Sequence, residues 1–212
     1  MANKMTGVEL VKFARGKIGT SYVYGMKGRK MSQSDFNELY KKYGDKFVPR
    51  SDIKKEGKVC VDCSGLISWA TGIALGSSQW MAKANIKKPI GTIVQAPVGA
   101  LVWMCGHIGI YSGMKNGVPY YIAADGSKYG VREVPLSYNK FSHWLLVESV
   151  FSYEMEDDEV VKKEKFEING KIVELDAIRK DGRVYPYIRD IAPAMGYEVS
   201  NKGAMPKLSK KV

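Results

Sequence analysis

The chain has 212 residues, 45% of them hydrophobic, and a formal net charge of +11. That length allows one ordinary domain, or one with a small companion, and the apolar fraction excludes a disordered chain. No run approaches the ~20 apolar residues of a membrane-spanning helix, and three cysteines are too few, and odd in number, for a disulfide framework.

The charge is uneven. Residues 1–150 hold 21 Lys/Arg against 10 Asp/Glu, whereas residues 151–212 hold 12 of each. The whole excess lies on the first part, which suits association with a polyanion such as nucleic acid or an anionic bacterial wall polymer; the plainer alternative is a basic soluble surface.

The opening "MANKMTGVELVKFARGKIG" scatters charge and has no continuous apolar stretch. It is not a secretory signal, so the expectation is a chain made and held in the cytoplasm. Val8, Val11, Ala14 and Ile18 fall at helical spacing. "TSYVYG" alternates like a short strand ending at Gly25. Residues 26–58 are Lys-rich, with few apolar anchors beyond Phe36, Leu39, Tyr40 and Phe47, and read as an insertion with a short helix near 33–43. In "CVDCSGLISWA" the spacing predicts a helix from Cys63, with Leu66, Ile67, Ala70, Ile73 and Ala74 as its stripe and Asp62 as N-cap.

The period then changes. "GALVWMCGHIGIYSG" and "GVPYYIAADG" read as two strands joined by the turn "MKNG", and "VREVPL" and "HWLLVESVFSY" continue the sheet. Helices followed by a strand meander make an α+β order. "EMEDDEVVKKEK" has the mixed charge of a linker. Beyond it, "FEINGKIVEL" reads as a hairpin turning at Asn169–Gly170, "PYIRDIAPAMG" as a short helix ended by Gly196, and "YEVS" and "MPKL" as closing strands. The predicted organisation is a domain over 1–150, a linker over 151–165 and a small α+β domain over 166–212.

Cys60 and Cys63 admit three readings. With Cys105 and His107 they supply four ligands for a tetrahedral zinc site, although Cys63 would then open an apolar helix. As a Cys-x-x-Cys redox pair they lack the preceding strand of a thioredoxin-like unit. As a nucleophile, Cys63 would use the helix N-terminus, which favours a thiolate and offers backbone N–H groups to an oxyanion; His107, in a strand about 40 residues on, would be the base.

"GTSYVYG", "DCSGLISW" and "GHIGIYSG", in that order, resemble the NlpC/p60 family of papain-like cell-wall peptidases from about residue 8 to 150. "KGRKMSQSD" and "GSSQW" resemble its phage and prophage endolysin-like branch in Gram-positive hosts. The resemblance implies a nucleophile helix packed on an antiparallel sheet. It implies Cys63 as nucleophile, His107 as general base, and Tyr22 beside the nucleophile as oxyanion donor. Asp62, Ser64 and Gly65 match the surrounding motif, while Cys60 and Cys105 become small buried side chains. No cofactor or metal is implied. Action at the wall would follow release through a membrane pore made by another protein.

One position departs from the pattern. The family orients its histidine with a third polar residue on the next strand, where this chain has Ala123 in "YIAADG". Asp125, two residues on and on the same strand face, either substitutes for it or is a turn residue before Gly126; the turn is preferred. His143 reads as structural. Trp69, Trp80, Trp103 and Trp144 read as core, with Trp80 and Trp103 as candidates for lining a groove.

"INGKIVELDAIRKDGRVYPYIRDIAPAMGYEV" is similar to the small domain at the N-terminus of copper amine oxidases, without His or Cys for copper chemistry. The resemblance implies wall attachment or oligomerisation, with Arg183 and Arg189 as candidate contacts to wall anions. The function expected is hydrolysis of an amide bond in peptidoglycan stems by a cysteine peptidase, with peptidoglycan, and not nucleic acid, as partner. The alternatives are an N-acetylmuramoyl-L-alanine amidase on the same scaffold, a catalytically weakened wall-binding protein, and, most remotely, a zinc-stabilised nucleic-acid binder.

Overall fold

The computed structural model describes residues 4–153, 162–180, 183–202 and 205–210. The chain divides into two compact units, Met1–Met155 and Glu156–Val212. The first unit runs β1 (Met5–Thr6), α1 (Gly7–Arg15), β2 (Ser21–Tyr22), β3 (Lys27–Lys30), α2 (Gln33–Tyr43), β4 (Val59–Val61), α3 (Cys63–Thr71), α4 (Ser77–Lys83), β5 (Ile86–Pro89), β6 (Leu101–Met104), β7 (His107–Lys115), β8 (Val118–Ala124), β9 (Val131–Pro135), β10 (His143–Leu146) and β11 (Phe151–Ser152). Tight 3-10 turns lie at Arg50–Lys55, Ile90–Gln95 and Leu136–Tyr138.

Capping chemistry sets the helix starts. Thr6 and Glu9 form a reciprocal capping box on α1, and Ser32 and Asp35 form another on α2. Asp62 caps α3, and Gly72 ends it in the left-handed conformation at φ 73°.

Six strands form one sheet in the order β5-β10-β6-β7-β8-β9, every neighbouring pair antiparallel. On one face Ile108, Ile110, Ile122 and Ala124 pack against Leu10 and Val11 of α1 and Leu66 and Ile67 of α3. On the other, Val102, Tyr111, Tyr121 and Ala123 pack with Ile93, Leu136 and Phe141. Alternation along each strand divides these two sets, as a two-sided buried sheet requires. A parallel pair, β2-β4, joined by β3, leads into α3.

Several sequence expectations change. "GALVWMCGHIGIYSG" is not one strand but two, β6 and β7, joined by the tight turn Cys105–Gly106, with Gly106 at φ 81°. "HWLLVESVFSY" also divides: β10 stops at Leu146, and β11 pairs in parallel with β1, Met5 opposite Phe151. Residues 151 and 152, expected in the linker, therefore close the first unit. The insertion packs on a core of Val23, Met26, Met31, Phe36, Val48 and Cys60, against which Leu39 and Tyr40 lie as expected, whereas Phe47 is exposed.

The β7–β8 hairpin turns at Asn116–Gly117, with φ 49° and 79°, the left-handed pair of a type I′ turn. Lys115 pairs with Val118 and Gly113 with Tyr120, but Tyr111 then pairs with Tyr121 and Ile110 with Ile122. Ser112 is the extra residue of a β-bulge.

The second unit comprises β12 (Lys162–Ile168), β13 (Lys171–Lys180), β14 (Arg183–Pro186), α5 (Ile188–Ala194), β15 (Tyr197–Lys202) and β16 (Met205–Lys210). β12-β13-β14 is an antiparallel sheet, β15-β16 a hairpin, and α5 touches β13 and β15. Asn169 and Gly170 make the expected turn at φ 52° and 73°. Residues 154–161 of the expected linker lie outside the described residues, and 162–165 belong to β12. The side chain of Arg183 is also outside them; Arg189 is exposed on α5. Among the described residues no helix is long and apolar enough to cross a membrane.

Candidate active site

The site begins with the cap of α3. Asp62 is 5% exposed. Its Oδ1 accepts hydrogen bonds from the Gly65 N–H and the Ser64 hydroxyl, and its Oδ2 accepts from the Gly25 N–H at 2.8 Å. Gly65 is needed for close approach: a Cβ there would lie 2.2 Å from the Met26 carbonyl oxygen. Asp62, Ser64 and Gly65 thus fix the helix start that carries Cys63. The Leu66 N–H returns to the Asp62 carbonyl, which leaves the Cys63 and Ser64 amides, at the positive end of the helix dipole, outside these bonds.

β2 runs beside β4 with Tyr22 opposite Val61, two residues before Cys63. Burial pushes the Tyr22 phenol well above its usual range, and the negative charges of Cys63 and Asp62 add to that. The phenol therefore stays an O–H donor, close enough to Cys63 to interact with it electrostatically.

His107 opens β7. Its Nε2 lies 2.9 Å from Asp125 Oδ1, and Cys63 is near enough to interact with the ring. The ring stacks on Phe141 at 5.7 Å and 17°. Burial works to lower the imidazolium's pKa, but the hydrogen bond to Asp125 and the interaction with Cys63 outweigh it, so the pKa is pushed up to about 9. The imidazole is charged at neutral pH.

The Asp125 side chain is 2% exposed. Its Oδ2 accepts from the Tyr121 hydroxyl and from Arg132 Nε, each at 2.7 Å, and its Oδ1 accepts from Asn139 Nδ2 at 3.2 Å in addition to His107. Burial disfavours the charged carboxylate, yet the bonds from His107, Tyr121 and Arg132 overcome that and hold its pKa below the usual value. The Arg132 guanidinium lies between two rings, 4.0 Å from the centre of Tyr129 and 3.8 Å from that of Tyr138.

Ala123, at the position where the resemblance expects a polar group, is wholly buried in the apolar cluster with Tyr121. The bulge explains why Asp125 reaches the histidine instead. The register at the hairpin, Lys115 opposite Val118, would place His107 opposite Gly126 and turn Asp125 to the other face. The extra residue at Ser112 shifts the pairing by one, so the Ile110–Ile122 register continues to His107 opposite Asp125. Asp125 also serves the turn, since its N–H donates to Gly130 O at 2.9 Å. The preference for a turn role alone is corrected. Tyr121, Arg132, Asn139 and Phe141 were not singled out from sequence. Tyr121 was within reach, because residues 121, 123 and 125 share a face by strand alternation.

The other candidates separate. Among the described residues no group of three or more His, Cys, Asp or Glu side chains is placed to hold a metal ion, so the proposed zinc ligands do not come together. All three cysteines are free thiols. Cys60 lies in the insertion core, its Sγ 3.5 Å from the Lys58 carbonyl oxygen. Cys105 is exposed in the β6–β7 turn, which corrects the expectation that it is buried. Trp80 is fully buried and lines no groove; Trp103 is half-buried, its indole N–H donating to Ser77 O at 3.1 Å. His143 opens β10, 2.9 Å from the Ser142 hydroxyl.

No protein-family model matches the chain, and no curated protein matches it. Among solved structures, the P60 domain of an antigen from Mycobacterium avium subspecies paratuberculosis is a structural neighbour. It is 21% identical, with 66% of this chain and 92% of that chain covered and a TM-score of 0.41. This chain is a mixed α+β protein with a P60 domain as a structural neighbour.

Proposed function

We propose that the chain is a cysteine peptidase that cuts an amide bond in the peptide stems of bacterial peptidoglycan. The observation that carries the chemistry is the 2.9 Å hydrogen bond between His107 and Asp125, with Cys63 near enough to act on the His107 ring and a protonated Tyr22 phenol close by. The substrate class rests on the resemblance of the three motifs to cell-wall peptidases, and the basic charge of residues 1–150 suits an anionic wall.

In this reading the Cys63 sulfur attacks the amide carbonyl carbon, and the carbonyl π pair moves to oxygen. The Tyr22 O–H and the Cys63 backbone N–H donate to that oxyanion. The His107 imidazolium gives its proton to the leaving nitrogen as the C–N bond breaks, and a thioester remains. Neutral His107 then takes a proton from water, whose oxygen attacks the thioester and expels the sulfur. The products are an amine and a carboxylic acid. Asp125 holds the imidazole in one tautomer and orientation and stabilises its charged form. That contact weighs against a wall-binding protein without activity.

The test is digestion of purified Gram-positive peptidoglycan, with Cys63→Ser as control and mass spectrometry of the soluble products. Stem fragments released only by the wild type are expected, and their masses distinguish a cut within the stem from an amidase cut at the muramoyl–L-alanine bond. Binding of both proteins to walls of several stem types without release of fragments would overturn the proposal.

A further inference from the structure

The insertion meets the site through a buried ammonium that the chemistry above does not use. Lys55 ends the 3-10 turn at Arg50–Lys55. Its Nζ donates to Asp52 Oδ1, the Tyr22 carbonyl oxygen and Ser127 Oγ, each at 2.7 Å, and lies 2.9 Å from the Ser127 carbonyl oxygen. The Ser127 hydroxyl also donates to Asp52 Oδ1. The Asp52 side chain is 1% exposed and that of Lys55 17%. Asp52 Oδ2 has no hydrogen-bond partner.

Two of the three segments joined here carry groups of the site. Tyr22 bears the phenol beside Cys63, and Ser127 follows Asp125 by two residues in the loop back to β9. A buried ion pair with one unpaired carboxylate oxygen is a poor source of stability, because desolvation offsets most of the attraction. Its geometry has another consequence. One ammonium with three N–H donors sets the Tyr22 backbone and the Asp125 loop at a fixed separation.

We propose that Lys55, held by Asp52, is a positioning residue for amide hydrolysis: it brings the oxyanion donor Tyr22 and the histidine's carboxylate Asp125 into register across the nucleophile. The proposal rests on the cysteine peptidase reading of the site. It makes the Lys-rich insertion part of the catalytic framework.

The experiment uses the full chain and the double variant Asp52→Asn/Lys55→Met, which removes both charges and so leaves no buried charge unpaired. Two quantities are read: kcat and KM on a soluble stem peptide, and the rate of Cys63 alkylation by iodoacetamide at pH 6, counted by peptide mapping so that exposed Cys105 is scored separately. A displacement of the order of 1 Å predicts a kcat lower by roughly 10- to 100-fold. KM should change little, Cys63 alkylation should slow at least about threefold, and Cys105 alkylation should stay unchanged. A folded double variant with kcat and Cys63 alkylation within about twofold of the wild type would overturn the proposal. If the double variant does not fold, Asp52→Asn/Lys55→Gln decides, because it is also neutral and keeps a polar side chain that is too short to reach both the Tyr22 and the Ser127 carbonyl oxygens: slowed Cys63 alkylation supports the proposal, and an unchanged rate overturns it. A wild type that cuts no stem, with Cys63 alkylation still slowed in the variants, would sink the peptidase reading and leave the positioning role standing.

Discussion

Replacing Asp125 with asparagine tests how the histidine is held. All four partners of this carboxylate are donors: His107 and Asn139 on Oδ1, Tyr121 and Arg132 on Oδ2. An asparagine amide must turn its NH2 group toward one of these pairs: toward the first it breaks the bond to His107, and toward the second it loses Arg132 while the Tyr121 hydroxyl can reverse and accept, so in either orientation His107 loses its charged acceptor. Loss of one charge-assisted bond to His107 is worth about 1.5–3 kcal/mol, which at about 1.4 kcal/mol per factor of ten lowers kcat/KM by roughly 10- to 150-fold. A second readout follows from the imidazole, whose pKa is raised from 6.5 to about 9. The alkaline limb of kcat/KM should fall near pH 9 in the wild type and move down in Asp125→Asn, because the charged ring loses its buried counter-ion. The same shift acts on stability. A folded pKa above the unfolded one stabilises the protein fully below pH 6.5, and that contribution is lost as pH rises through about 9. The wild-type Tm should therefore drop more between neutral and alkaline pH than that of Asp125→Asn. The assay is hydrolysis of a soluble stem peptide across pH, with thermal melts on the same samples. A kcat/KM within about twofold of the wild type, with the alkaline limb unmoved, would show that Asp125 does not hold the histidine.

Tyr22→Phe removes the O–H that the proposed mechanism gives to the oxyanion and should lower kcat by about 100-fold with KM and Tm little changed; steady-state kinetics on the same peptide would expose a harmless substitution. Gly113 sits at φ 100° beside the bulge, and a Cβ there would lie 3.3 Å from Val98 Cγ2, so Gly113→Ala should destabilise the fold by about 1–2 kcal/mol in urea titration; an unchanged midpoint contradicts the strain argument. Deletion of Ser112 should restore the hairpin register and carry Asp125 off the histidine's face, so that hydrolysis is lost while wall binding in a pull-down persists; retained hydrolysis would show that the bulge does not matter. Cys105→Ser, in an exposed turn, should change stability by less than about 0.5 kcal/mol and leave the pH profile as it is; a lost activity would give this thiol a role that its position does not.

What could be read from sequence was mostly local. The reciprocal cap of Ser32 and Asp35 and the apolar spacing behind it place α2 at Gln33–Tyr43, as expected. Asp62 followed by a helical stripe places α3 and hence Cys63. Asn116–Gly117 and Asn169–Gly170 mark their turns because few other pairs accept two left-handed residues. What escaped depends on the tertiary fold. No local signal distinguishes Ser112 as a bulge from Ser112 as an ordinary strand residue, yet that choice decides which face Asp125 occupies. Met26 and Met31 lie in a Lys-rich stretch and look unremarkable, but each is 1% exposed. Two-residue β11 has no period to detect, and its partner β1 lies at the other end of the unit. Lys55 reads as one more surface charge until Asp52, Ser127 and the Tyr22 carbonyl are assembled around it.

The central claim is that Cys63 forms a thioester with the substrate. Rapid acid quench of the full-length protein during turnover of a soluble stem peptide, followed by intact mass and peptide mapping, tests it directly. The expected result is an adduct with the mass of the acyl part of the stem on the peptide containing Cys63, absent in Cys63→Ser and longer-lived in Asp125→Asn. Turnover without any adduct on Cys63, together with undiminished activity in Cys63→Ala, would contradict it.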